Sequence, residues 1–182
     1  MKIITPGVIW ITGLSASGKS TLAEGFYQKL KKLQYQNIIL LDGEELRKHS
    51  SRFYGYSLEE RAASSLEDIS IVKSFYDQGK FVILSTISPQ RSIRAHARKM
   101  FTNFYEVFLD CSVEICSKRD YKGHYAKALS GELKNFVGID QTYEVSDDPE
   151  LTINTDEKNI SQTLEALFNF SKKQNIVIKN NE

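Results

Sequence analysis

Residues 13–20 read GLSASGKS, and this octet constrains the fold more than any other stretch of the chain. It fits the pattern G-x-x-x-x-G-K-[ST], which requires a strand before it and a helix after it. Both are predicted here. Residues 8–12 (VIWIT) form a short apolar run rich in β-branched side chains, the signature of a buried strand. Beyond Lys19, the apolar residues Leu22, Ala23, Phe26, Leu30 and Leu33 recur at helical spacing. Gly13 and Gly18 let the backbone curl so that the N–H groups of Leu14, Ser15, Ala16 and Ser17 turn inward. The first helical turn adds its positive end, and the whole becomes a cradle for phosphate oxygens. Lys19 is placed to reach β- and γ-phosphates, and the Ser20 hydroxyl to ligate Mg²⁺. Ser15, Ser17 and Thr21 offer further hydrogen bonds. The loop therefore implies a nucleotide site, with ATP and Mg²⁺ as the expected cofactors.

The rest of the chain of 182 residues alternates strand and helix signals with no repeat or low-complexity tract, so one domain spanning 1–182 is expected. Residues 38–41 (IILL), 81–84 (FVIL), 104–109 (FYEVFL) and 151–154 (LTIN) read as further strands. Ser57 with Glu60 makes a capping box that opens a helix toward Asp77, and Gly79 closes it. Helices are also expected over 92–101, after Ser112, and over 160–170. The polar end 171–182 is expected to fray. Alternating elements of this kind build a mostly parallel sheet with helices on both faces, so the fold class is α/β, a P-loop NTPase three-layer sandwich. Ligands in such sheets bind at the carboxyl ends of the strands. Asp42, Ser85 and Asp110 all fall there.

Lys plus Arg (24) nearly balances Asp plus Glu (23), a formal net charge of +1. No global basic field is available for nucleic acid or an anionic membrane, so phosphate binding must be local and the partner a small nucleotide substrate. No run approaches the ~20 apolar residues of a membrane span, and the apolar start is broken by Thr5, Pro6 and Gly7. A cytoplasmic location is the default. Cys111 and Cys116 are expected as buried thiols on one helix. No N-K-x-D guanine signature is present, which argues against a GTPase, and the chain is short for a motor. The polar, basic, glycine-punctuated stretch 120–138 reads as a mobile lid that would shield a transferring phosphoryl group from water. Together these point to a small-molecule kinase.

Other candidates cluster around that site. Asp42 could hold a magnesium-bound water, accept the proton of an attacking hydroxyl, or cap the helix that follows. Glu44 is either an assistant to it or a solvated first-turn charge. Arg47 and Arg61 offer planar forks for an anionic acceptor. Lys118, Arg119, Lys122, Lys127 and Lys134 give the lid a basic cluster, and Tyr56 and Phe136 are either base-stacking rings or core anchors.

Several stretches taken together resemble the adenylylsulfate kinases over residues 8–155. They are VIWITGLSASGKSTLA, LDGEELR, the SLEER segment, ISP at 87–89, RDYKGHYAKALSGELKNFVGID at 119–140, and YE followed by PELTINT. The lid stretch is the most specific of them. The resemblance implies phosphoryl transfer from ATP to the ribose 3′-hydroxyl of adenosine 5′-phosphosulfate. It implies that Asp42 lies near metal and hydroxyl, that Arg47 and Arg61 grip the substrate, and that Tyr56 and Phe136 clamp its base. It further implies that Ile87 and Ser88 contact the acceptor through backbone, that Arg119 and Thr155 lie on the nucleotide side, and that Lys127 and Lys134 act from the lid. A homodimer is common in the family. The departures gather on the acceptor side. Glu44 stands for an aspartate, Ser64 for an asparagine, Thr86 for a phenylalanine, Gln90 for a tyrosine or histidine, and Ala126 for a lysine. They leave open a second acceptor known among similar kinases, cytidine diphosphoramidate, and a third reading as an inactive nucleotide-binding module.

Overall fold

The computed structural model describes residues 2–50 and 52–177. Five strands form one sheet: β1 (Gly7–Gly13), β2 (Ile38–Asp42), β3 (Phe81–Ser85), β4 (Phe104–Asp110) and β5 (Leu151–Asn154). Their order is β2-β3-β1-β4-β5, and every neighbouring pair is parallel, so the sheet is wholly rather than mostly parallel. The helices are α1 (Lys19–Lys32), α2 (Gly43–His49), α3 (Leu58–Asp77), α4 (Arg91–Met100), α5 (Val113–Arg119), α6 (His124–Leu129) and α7 (Ile160–Lys173). No helix among the described residues is long and apolar enough to cross a membrane.

Successive β1 side chains point to opposite faces, and each face has its own core. Ile9 and Ile11 pack with Leu22, Phe26 and Leu30 of α1 and Leu167 of α7. Val8 and Trp10 pack with Ile69 and Val72 of α3 and Ala97 of α4. Both faces are covered, which is why the strands read as continuous apolar runs and why the molecule has three layers. The capping box forms as expected: the Glu60 N–H donates to Ser57 Oγ at 3.2 Å, and the Ser57 N–H to Glu60 Oε2 at 3.1 Å.

Two expectations need correction. Cys116 lies on α5, but Cys111 precedes the N-cap Ser112, because β4 must first turn off the sheet; both thiols are free and buried. The stretch 171–177 does not fray: α7 continues to Lys173, and Ile176 and Val177 are buried in the α1/α7 core. Residues 178–182 lie outside the described residues. Within the stretch 120–138, Tyr125 and Ala128 of α6 join Phe136, Cys111 and Cys116 in a small core of their own.

One buried ion pair ties the loops together. Arg94 of α4 is fully buried and donates to Glu106 Oε1 of β4 at 2.8 Å and to the Ser88 carbonyl at 2.6 Å. It also reaches the Glu144 carbonyl and Ser146 Oγ, and Ser146 in turn donates to Glu106 at 2.7 Å. Removing one member strands the other charge in the interior. Arg94→Leu is expected to lower the free energy of urea unfolding by about 3–5 kcal/mol, and Arg94→Leu/Glu106→Leu to recover part of that loss.

Candidate functional site

Parallel register brings three strand ends to one corner. Ser85 at the end of β3 pairs with Ile11 of β1 on one side and with Asp42 of β2 on the other. The loop after β1 and the carboxylate ending β2 therefore face each other across Ser85. The Ser20 hydroxyl donates to Asp42 Oδ2 at 2.6 Å, and Ser85 Oγ stands 3.5 Å from Ser20 Oγ. Asp42 Oδ1 accepts the Glu44 N–H at 2.9 Å and so caps α2. Capping and the contact with Ser20 use different oxygens, so Asp42 serves both.

The loop 13–18 takes the shape its glycines allow. Gly13 has φ +139°, and a Cβ there would lie 2.7 Å from the Leu109 carbonyl oxygen, so a side chain would collide with β4. Ala16 is also left-handed, at φ 59°. Lys19 is buried, and its ammonium donates to the Leu14 carbonyl at 2.5 Å. Burial pulls its pKa down to about 8. A desolvated ammonium above a cradle of N–H groups favours an arriving anion, whose charge would restore the proton.

On the opposite side, Arg47 of α2 is exposed and makes no hydrogen bond or ion pair among the described residues. Arg61 of α3 is held in place. Its Nε donates to the Tyr56 carbonyl at 3.0 Å and its Nη2 to the Asn135 carbonyl at 3.1 Å, with the guanidinium 5.1 Å from the Tyr56 ring centre. Burial and the nearby Arg47 lower its pKa. Two cations set near one another, neither of them in an ion pair among the described residues, make a positive pocket. Ser88, at φ 39°, lies in a buried chain of hydroxyls: Ser65 Oγ at 3.2 Å, Ser88, then Thr86 Oγ1 at 2.7 Å, which accepts Trp10 Nε1–H at 2.6 Å. Ile87 beside it is half-buried.

The segment 120–138 closes over this pocket. Tyr125 OH donates to the Ser15 carbonyl at 3.0 Å, and Lys122 Nζ donates to Glu44 Oε1 at 2.6 Å. That bond to Lys122 lowers the Glu44 pKa, so Glu44 is engaged in a bridge across the cleft rather than left to solvent. Gln141 Nε2 donates to the Tyr56 carbonyl at 3.1 Å, tying the far end of the segment to the loop before α3. Tyr56 is exposed, but Phe136 is only 3% exposed, edge-on to Tyr125 at 4.8 Å. Phe136 is thus a core anchor here, not an open stacking platform. Lys127 is exposed with a 3.8 Å contact to Glu132, and Lys134 is exposed. Arg119 Nη2 donates to the Thr155 carbonyl at 2.7 Å.

Two residues escaped the sequence reading. Arg94 supports Ser88, and as one of three arginines on α4 it gave no sign of it. Asp68 of α3 is buried beside Arg47 and Asp42, and its signal was a carboxylate one turn beyond Ser64 on the Arg61 face of the helix.

A parallel sheet whose first strand feeds a G-x-x-x-x-G-K-S loop, with a carboxylate at the end of the second strand and a helical segment across the loop, defines a P-loop kinase. Residues 5–154 match the profile of the adenylylsulphate kinases, and the chain belongs to that family. It is therefore a phosphotransferase with a hydroxyl acceptor. It is 42% identical over 165 residues to the adenylyl-sulfate kinase of Clostridium acetobutylicum, covering 88% of this chain and 82% of that protein. It is 37% identical over 163 residues to the cytidine diphosphoramidate kinase of Campylobacter jejuni, covering 90% of this chain and 95% of that one. The Mycobacterium tuberculosis APS kinase, solved in complex with AMPPNP and APS, superposes with a TM-score of 0.86 at 32% identity, over 93% of this chain and 99% of that one.

Burial pushes the Asp68 carboxyl from 3.8 up to about 7, with Arg47 pulling it back and Glu67 and Asp42 adding to the rise. A raised carboxyl pKa means that folding favours the protonated form. The cost is absent below about pH 4, grows as pH rises, and is complete above about 7. Asp68→Asn is expected to stabilise the protein by on the order of a few kcal/mol at pH 8. That gain should shrink steadily as thermal melts are repeated toward pH 4, and an equal gain at both ends would contradict the assignment.

Proposed function

We propose that this protein transfers the γ-phosphate of ATP, with Mg²⁺, to the ribose 3′-hydroxyl of a nucleoside 5′-phosphoanhydride, by default adenosine 5′-phosphosulfate. The observation that carries this reading is the corner where Ser20 and Asp42 meet beneath the phosphate loop, opposite Arg47 and Arg61. A hydroxyl and a carboxylate oxygen 2.6 Å apart fit a hard cation with oxygen ligands. When bound there, the ion would supply charge neutralisation at the transferring phosphate.

The chain's own groups do the rest. The loop N–H groups and Lys19 hold the phosphates, and Asp42 orients the acceptor hydroxyl and takes its proton. Arg47 and Arg61 grip the anhydride, so the hydroxyl lies in line for attack. Tyr125 and Lys122 hold the segment 120–138 over the site and keep water from competing.

Cytidine diphosphoramidate is the second reading. It is favoured by the similarity to the Campylobacter jejuni kinase and by the altered acceptor side, where Thr86 is tied to Trp10 and Ser88 rather than filling the pocket with an aromatic ring. A coupled ADP-release assay with each acceptor tests both. Turnover with one of them identifies it. ADP release that no acceptor accelerates would favour the binding-module reading and contradict the proposal. In the active pairing, Asp42→Asn is expected to lower kcat by about a hundredfold or more, while ATP binding persists. A parental rate in that variant would remove Asp42 from the chemistry.

Lys19 adds a pH test. With its pKa near 8 in the free protein, the amine gains a proton when phosphate binds. ATP binding near pH 8.5 is expected to take up protons, seen as a calorimetric heat that varies with buffer ionisation enthalpy. Lys19→Met should remove that dependence.

A further inference from the structure

Two polar side chains on α3 lack partners although packing covers them. Asp68 is 4% exposed and Ser64 is 8% exposed. Neither side chain makes a hydrogen bond or ion pair among the described residues. The sealed, unpaired side-chain atoms are Thr12 Oγ1, Ser17 Oγ, Gln141 Oε1 and Tyr143 OH. The oxygens of Asp68 and Ser64 are not among them, so each keeps some exposure to solvent. Ser64 and Asp68 are one helical turn apart and continue the face that carries Arg61. The charged groups facing Asp68 are Arg47 from α2, Asp42 from the end of β2 and Glu67 on its own helix. Glu67 already accepts from Ser50 at 3.1 and 3.2 Å.

This arrangement is odd for a pocket that binds only an anion. Arg47 and Arg61 attract negative charge, yet Asp68 sets a carboxyl beside Arg47, and once ionised it costs affinity for a second anion. Above about pH 7, where Asp68 is ionised, its unpaired buried carboxylate is costly to keep and is satisfied only by a donor. The terminal groups of the two candidate acceptors differ in just this respect. A sulfate presents oxygens that accept, whereas a phosphoramidate presents an N–H group that donates, together with anionic oxygens for the arginines.

Resting on the acceptor site proposed above, and taking the phosphoramidate reading over the default sulfate, we infer that Asp68, helped by Ser64, reads the terminal group of the acceptor anhydride and selects one carrying an N–H donor over a sulfate. Asp68 accepts the N–H, and Ser64 Oγ–H donates to a neighbouring oxygen of the same group. The nucleobase is read elsewhere, so the choice of terminal group is independent of it.

Four acceptors test this by varying base and terminal group separately: adenosine and cytidine 5′-phosphosulfates, and adenosine and cytidine diphosphoramidates. The readout is kcat/KM for each. The parent protein is expected to favour the phosphoramidate for either base. Asp68→Asn should lower the phosphoramidate-to-sulfate ratio roughly tenfold for both bases, and Asp68→Leu more, as expected when a hydrogen bond to a charged group is lost. ATP affinity, measured by calorimetry, checks that the variants fold. A parent that prefers sulfate with both bases, a preference that follows the base alone, or a ratio unmoved by Asp68→Asn would each overturn the inference while leaving the kinase reading intact. Turnover of none of the four by a parent that binds ATP would instead remove the acceptor site on which it rests.

Discussion

The hydrogen bond from Ser20 to Asp42 joins the two halves of the site, and the rest of the structure is arranged to make it possible. Ser20 opens the helix that follows the phosphate loop, and Asp42 opens the helix that carries Arg47. These two residues are 22 positions apart in sequence and belong to βα units whose strands, β1 and β2, are not neighbours. They meet because β3 runs between β1 and β2 in parallel register, which sets Ser85 beside Asp42 and two residues short of the end of β1. A one-residue slip in that register would turn each strand's buried face to the wrong core and carry Asp42 away from the loop. The apolar runs that fix the register thus also fix the chemistry.

Charge in the cleft follows from what those elements bring together. Lys19, Arg47 and Arg61 converge with few compensating partners, and desolvation makes an incoming anion more welcome. Across the opening, the Glu44–Lys122 pair and the Tyr125 bond to the Ser15 carbonyl hold the segment 120–138 down over the loop. Exposed pairs such as Glu44–Lys122 are worth little individually, about 1 kcal/mol or less. They can break when nucleotide enters or leaves without costing the fold. The buried Arg94–Glu106 pair is the opposite case, and holds the loop at Ser88 rigidly.

Much of the fold was legible because it rests on local signals. The runs at 8–12, 38–41, 81–84 and 104–109 are each too apolar for anything but a doubly covered strand, and the Ser57/Glu60 box marks the start of α3. The phosphate loop was legible for the same reason, since its glycines and Lys19 act within one loop. What stayed hidden depends on contacts between distant residues. Nothing near Glu44 announces Lys122, 78 positions away. The sequence left Phe136 open between a stacking ring and a core anchor, and the packing of Tyr125 against it places the ring in a small core. Asp68 reads as one more acidic residue on a helix until burial removes its solvent. The tail misled for the converse reason: Ile176 and Val177 sit in a polar sequence, yet they close the core between α1 and α7.

The placement of Asp42 at the acceptor hydroxyl stands or falls on where the phosphate goes. Phosphorus NMR of the product formed from ATP and the accepted nucleoside anhydride measures this directly. A new phosphomonoester coupled to the ribose 3′ proton, with the 5′-anhydride intact, is the predicted result. Phosphate attached to the anhydride's terminal group, or released free, would contradict the placement of Asp42 at the acceptor hydroxyl.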